Sequence, residues 1–124
     1  MSGKLVDTNI LIYLSKRSLD LEKIASPEDS LFISIITYME VWGYRFEDDS
    51  EKRIIENLSN HLPVIDLNPR IVNKVIAIRQ QHKIKLPDAI ILATAVVMDL
   101  ELITANTADF INIDPDLKIS NPMI

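Results

Sequence analysis

Apolar residues come in short bursts separated by polar turns, and their spacing changes from burst to burst. The opening LVDTNILIYL runs from a brief apolar strand into a helical recurrence, with Asp7 at the strand's end and Thr8 or Asn9 suited to capping the junction. Apolar residues thin out between 18 and 30 and SPEDS supplies a turn. LFISII then reads as a second β-rich run, with a strand over 31–35. From Ile36 through Phe46, apolar and aromatic residues recur three and four positions apart, the pattern of a helix with one buried face capped by Ser34 or Thr37. Residues 50–61 repeat that pattern more weakly through Ile54, Ile55 and Leu58, and Pro63 precedes VIDL, a short strand.

A helix is expected after Pro69, with Ile71, Val72, Val75, Ile76 and Ile78 on its inner side and a basic exit at His82, Lys83 and Lys85. Pro87 in the first turn and Asp88 near the cap open DAIILATAVVMD, whose nearly all-round apolarity suits a central buried helix. LELITA reads as a strand, TADF as a helical turn and LKIS as a final strand. Strands alternating with helices predict a mainly parallel sheet covered on both faces, a three-layer α/β/α sandwich. No linker or repeat divides residues 1–124, so one domain is expected.

Composition narrows the chemistry. Two glycines and 48% hydrophobic residues exclude disordered and collagen-like architectures, and the lack of cysteine excludes thiolate nucleophiles and thiolate zinc sites. Only His61 and His82 are available for imidazole ligation. The apolar stretch 89–98 is too short to span a bilayer, and MSGKLVDTN lacks the layout of a signal peptide. A soluble cytoplasmic protein without membrane attachment is expected. A net charge of −5 argues against holding nucleic acid by general phosphate attraction, although an acidic pocket filled by divalent cations reverses sign locally.

In open parallel sheets, functional groups collect beyond the carboxyl ends of the strands. Four junctions there bear acids: Asp7 after the first strand, Glu40 one turn into the next helix, Asp88 opening the central helix, and Asp109 one short turn after LITA, with Asn106 at the same junction. Asp7, Asp88 and Asp109 also suit helix caps, and each alone has that plainer reading. Gathered together, carboxylates repel and raise one another's pKa unless a cation intervenes. Oxygen-only donors point to a hard ion, Mg²⁺ or Mn²⁺. The basic exit at 82–85 suits either a helix dipole or phosphate contact. Glu47, Asp48, Asp49 and Glu51 read as a solvated face, and Tyr38, Trp42, Tyr44 and Phe46 divide between core packing and a partner surface.

With these motifs in order, the sequence resembles the PIN-domain ribonucleases, in particular the VapC-like toxins of toxin–antitoxin pairs. LVDTNILIYL is similar to the family's opening strand and first acid, which places that role on Asp7 with Thr8 and Asn9 beside it. SIITYMEVWGY places the second acid on Glu40, and KLPDAIILATA the third on Asp88. ITANTADF carries the fourth to Asp109, with Asn106 as a polar neighbour. The resemblance implies hydrolysis of an RNA phosphodiester by metal-activated water, with Mg²⁺ or Mn²⁺ at Asp7, Asp88 and Asp109 and Glu40 orienting water or a second metal. It also implies an unpaired segment of a structured RNA such as a transfer or ribosomal RNA loop, a small VapB-like antitoxin with a basic side chain among the carboxylates, and a homodimer through the helices after strands one and two. Three rivals stand beside it. A haloacid-dehalogenase-type phosphatase needs a second acid where this chain has Asn9. A phospho-receiver module would use Asp7, Asp66 and Lys118. A PIN-like fold without catalysis, binding RNA or protein, is encouraged by Asn106.

Overall fold

The computed structural model describes residues 3–124; Met1 and Ser2, part of the expected 1–124 unit, lie outside the described residues. Strands β1 (Gly3–Val6), β2 (Ser30–Ser34), β3 (Val64–Ile65), β4 (Glu101–Ile103) and β5 (Ile119–Ser120) are joined through helices α1 (Thr8–Ser15), α2 (Ile35–Trp42), α3 (Asp49–His61), α4 (Pro69–Gln81) and α5 (Leu86–Val97). The sheet order is β3-β2-β1-β4-β5 and every pairing is parallel. Successive strand residues point to opposite faces. Leu5, Phe32 and Leu102 therefore meet α4 and α5 on one side, while Val6, Ile33 and Ile103 meet α1 and α3 on the other. The result is a three-layer α/β/α sandwich. Among the described residues, no helix is long and apolar enough to cross a membrane.

The element ends depart from the sequence reading where capping outweighs hydrophobic period. The second strand stops at Ser34, whose hydroxyl accepts from the Ile36 N–H at 3.1 Å and starts α2 one residue early. That helix ends at Trp42 with Gly43 as its C-cap, so Tyr44 and Phe46 fall outside it. Neither Thr8 nor Asn9 caps α1; Asp7 does. The strands VIDL, LELITA and LKIS shorten to Val64–Ile65, Glu101–Ile103 and Ile119–Ser120. On α4, Ile71, Val75 and Ile78 are buried as expected, but Val72 and Ile76 are exposed, Ile76 at 51%. Positions three and four apart share a face, and 72 and 76 lie on the neighbouring one.

Helix α5 holds the centre of one layer, with Ala89 to Ala95 all buried. It closes with the Leu100 N–H on the Ala95 carbonyl (2.9 Å) and the Asp99 N–H on Val96 (3.3 Å), Asp99 taking φ 54°. This Schellman closure ends the helix sharply and turns the chain into β4.

Candidate active site

The chain leaves β1 for β2 and β3 on one side and returns to place β4 on the other, so the order reverses between β1 and β4. A crevice opens at such a switch point, outside the carboxyl ends of the strands. Asp7 follows the last residue of β1 and Thr104 the last of β4.

Asp7 is only 3% exposed, a position where a free carboxylate is expensive. Its Oδ1 accepts the Thr8 N–H (2.8 Å), while Oδ2 accepts the Thr104 hydroxyl (2.7 Å) and the Asn9 side-chain amide (3.2 Å). Capping and candidate chemistry therefore coincide at one residue. Thr104 is itself buried, and its oxygen also accepts the Asn106 N–H at 3.1 Å. The Asn9 carbonyl oxygen accepts the Ala105 N–H at 3.1 Å, so the start of α1 is stitched to the loop after β4.

Glu40 is exposed on α2 and reaches the same crevice through Thr8, whose hydroxyl donates to Glu40 Oε1 at 2.6 Å and stands 3.1 Å from the Thr37 hydroxyl. Asp88 is not a cap. The N-cap of α5 is Lys85, which makes no side-chain bond there, and Asp88 is the third helical residue. Asp109 ends the 3₁₀ turn Thr107–Asp109, whose N-cap is Asn106. Asn106 contributes its backbone N–H to Thr104, whereas the Asp109 charge acts on Asp88.

These carboxylates feel one another. Burial raises the Asp7 pKa above the ordinary aspartate value and the charges of Asp88 and Glu40 add to the rise, while hydrogen bonds from Thr104 and the Thr8 N–H pull it back. Asp88 is raised first by burial, then by Asp109 and Glu40, with Lys85 opposing. Among the described residues, no group of three or more His, Cys, Asp or Glu side chains is drawn together closely enough to hold a metal ion as it stands. The acids are close enough for their charges to act on one another, Asp88 and Glu40 on Asp7, and Asp109 and Glu40 on Asp88. In donor chemistry the set is oxygen-only, which suits a hard divalent cation that keeps several waters and takes only one or two carboxylates.

A stability consequence follows. With its folded pKa above the unfolded value, Asp88 contributes stability that is complete below pH 3.8 and lost as pH rises through the raised value. Asp88→Asn in EDTA should therefore unfold at higher urea than the parent at pH 7, with the gap closing toward pH 3. A gap independent of pH would break the link to repulsion.

Sequence reasoning missed Thr104, buried at the end of an apolar run, and offered Thr37 only as a helix cap, a place that Ser34 takes. A hydroxyl closing the strand ELI two residues before Asn106 was the available signal. The acidic run is only partly solvated. Glu51 is 7% exposed and pairs with Lys16 at 3.1 Å, because Asp48 caps α3 and turns its first helical turn inward. The aromatic group lies mostly outside the core, with Tyr38, Trp42 and Tyr44 exposed and Phe46 half-buried. The receiver reading fails on position. Asp66 follows β3 at one edge of the sheet. Lys118 precedes β5 at the other edge and the opposite strand end, 3.8 Å from Glu101.

Residues 4–114 match the family model described as PIN domain. No curated protein sequence matches the chain. Among solved structures, it is similar to a toxin–antitoxin complex from Klebsiella pneumoniae, at 41% identity over 96% of this chain and 97% of that one, TM-score 0.73. It is also similar to VapBC-1 from nontypeable Haemophilus influenzae, at 28% identity over 98% and 99% of the two chains, TM-score 0.76. VapBC2 from Rickettsia felis, bound to a DNA fragment from its promoter, shares the fold at 20% identity over 96% and 98%, TM-score 0.79.

Proposed function

The chain belongs to the PIN domain family, and we propose that within it the protein is a VapC-like toxin, an endoribonuclease that depends on Mg²⁺ or Mn²⁺. The observation that carries this reading is the convergence of Asp7, Glu40, Asp88 and Asp109 at the β1/β4 switch point, with the proton affinities of Asp7 and Asp88 raised by burial and mutual charge.

In this reading Asp7, Asp88 and Asp109 hold the ion, and Glu40, steadied by the Thr8 hydroxyl, orients the attacking water and receives its proton. A bound divalent ion supplies positive charge that acidifies water and offsets the negative charge growing on the phosphate. The water oxygen bonds to phosphorus, one ester oxygen departs, and the protein forms no covalent bond to RNA. The Asp7 carboxylate keeps its orientation because both its oxygens are tied down. The substrate assigned is an unpaired segment of a structured RNA, a transfer or ribosomal RNA loop, whose splayed nucleotides a small protein can reach.

Assignment of a VapB-like antitoxin partner is supported by the toxin–antitoxin relatives. The exposed Tyr38, Met39 and Trp42 on α2, with Tyr38 and Trp42 ring centres 6.0 Å apart, offer the apolar surface for that chain or for a homodimer. One domain and a cytoplasmic site of action complete the reading.

The test is cleavage of transfer RNA and ribosomal RNA by the purified chain in Mg²⁺ or Mn²⁺. Discrete fragments are expected with either ion and none in EDTA. Intact RNA in every condition, with binding retained, moves the protein to a PIN-like module without catalysis.

A further inference from the structure

The turn between α4 and α5 carries a set of side chains that the candidate site leaves unused. Ile76, Ile84 and Leu86 together with Arg79, His82 and Lys83 line a groove of about 540 Å³. Arg79 Nε donates to the Ile84 carbonyl at 3.3 Å, which fixes its guanidinium across the turn. Among the described residues Arg79, Lys83 and Lys85 have no carboxylate within 4 Å, and no acid lies between Asp66 and Asp88 in the sequence. A stretch that carries these cations and no acid is a local reversal of sign in a chain of net charge −5.

A helix dipole explains only part of this cluster. Helix α4 ends at Gln81, and of the three cations only Arg79 lies in its last turn; Lys83 and Lys85 come after it. The cluster also leads somewhere. Leu86, which lines the groove, and Asp88 both belong to the first turn of α5, and the charge of Lys85, the residue before that turn, acts on the Asp88 carboxylate.

We propose that this groove holds the single-stranded RNA segment adjoining the bond presented to Asp88, with Lys83 and Lys85 on its phosphates and the apolar residues and His82 against its bases. The assignment rests on the nuclease reading. Charge selects a polyanion, and the apolar lining selects one with exposed base faces, which a duplex does not offer. The volume suits one or two nucleotides, the scale of a small-molecule pocket.

The experiment measures binding of a short single-stranded RNA to the full chain in EDTA across salt concentrations, separately from cleavage. Lys83→Glu with Lys85→Glu should weaken binding by at least about tenfold and flatten the slope of log affinity against log salt by about 1.4, two single-strand phosphate contacts. Lys83→Arg with Lys85→Arg should keep both. Lys52→Glu reverses one charge on α3, across the sheet, and should leave affinity within about twofold. If the glutamate pair lowers the melting temperature, the glutamine pair is measured in its place. Unchanged RNA binding in the pair overturns the proposal, as does an equal loss in Lys52→Glu or tighter binding of duplex than of single strand. Loss of binding to an acidic protein with RNA binding intact overturns it in favour of a protein-docking face. If the pair loses RNA binding while the parent cleaves nothing in Mg²⁺ or Mn²⁺, the groove stands and the nuclease reading falls.

Discussion

Asp88→Asn should lower the single-turnover rate of RNA cleavage by about 10³-fold while the protein stays folded. The side chain makes no hydrogen bond among the described residues and sits half-buried in the first turn of α5, so the amide fits the same space. What the variant loses is charge, in a crevice where Asp109 and Glu40 already act on that carboxylate. A neutral amide attracts a divalent cation far less, and neither neighbour moves to replace it. Asp7→Asn should cost as much activity with a less clean structural background. Its two oxygens accept three hydrogen bonds, and an amide has one oxygen to offer where Asp7 has two. Cleavage at fixed Mn²⁺, read beside a thermal melt, checks both. A rate within tenfold of the parent for Asp88→Asn, at normal melting, removes that residue from the ion's ligands.

The contrast between these two aspartates shows what a sequence makes legible. Strand β1, helix α5 and the acids at their junctions are readable because a run of Val, Leu or Ile has few ways to be buried and an acid beside it must be accommodated. The parallel run of the strands follows from alternation of strand and helix, but the placement of β4 beside β1 does not. That pairing brings Thr104 to Asp7, so a contact spanning 97 residues was invisible. Ends of elements were misjudged where one side chain decides them. The Ser34 hydroxyl starts α2 before the apolar period begins, and Asp48 at the start of α3 turns Glu51 inward, so a run that looks uniformly solvated has one buried member. Val72 and Ile76 misled for a different reason, since hydrophobicity does not itself report which side of α4 is covered.

Thr104→Val should destabilise the protein by about 2–3 kcal/mol, lowering the melting temperature by about 10 °C, and slow cleavage by about 10²-fold. Valine has the shape of threonine and fills the same buried space at the end of β4, so no cavity forms. Three polar groups lose a bond together. Asp7 Oδ2 forfeits a donor at 2.7 Å and keeps only the longer bond from Asn9, the Asn106 N–H forfeits its acceptor, and the Asn9 amide forfeits its second, 3.4 Å contact. The first loss has a sign that can be followed. The Thr104 hydroxyl lowers the Asp7 pKa against burial, so removing it raises that pKa further. Stability of the metal-free variant should then be closest to the parent at pH below 3.8 and fall away more steeply as pH rises. Cleavage should require more Mn²⁺ to reach half its maximum, because an unsteadied carboxylate that favours its proton is a poorer ligand. The KM for RNA should change little, since Thr104 lies within the crevice wall. Thr104→Ser restores the hydroxyl and should recover the Mn²⁺ requirement, which a purely packing role for the methyl group would not allow. If Thr104→Val cleaves within twofold of the parent at the same Mn²⁺ midpoint, Thr104 does not position Asp7, and the stitching of β1 to β4 serves the fold alone.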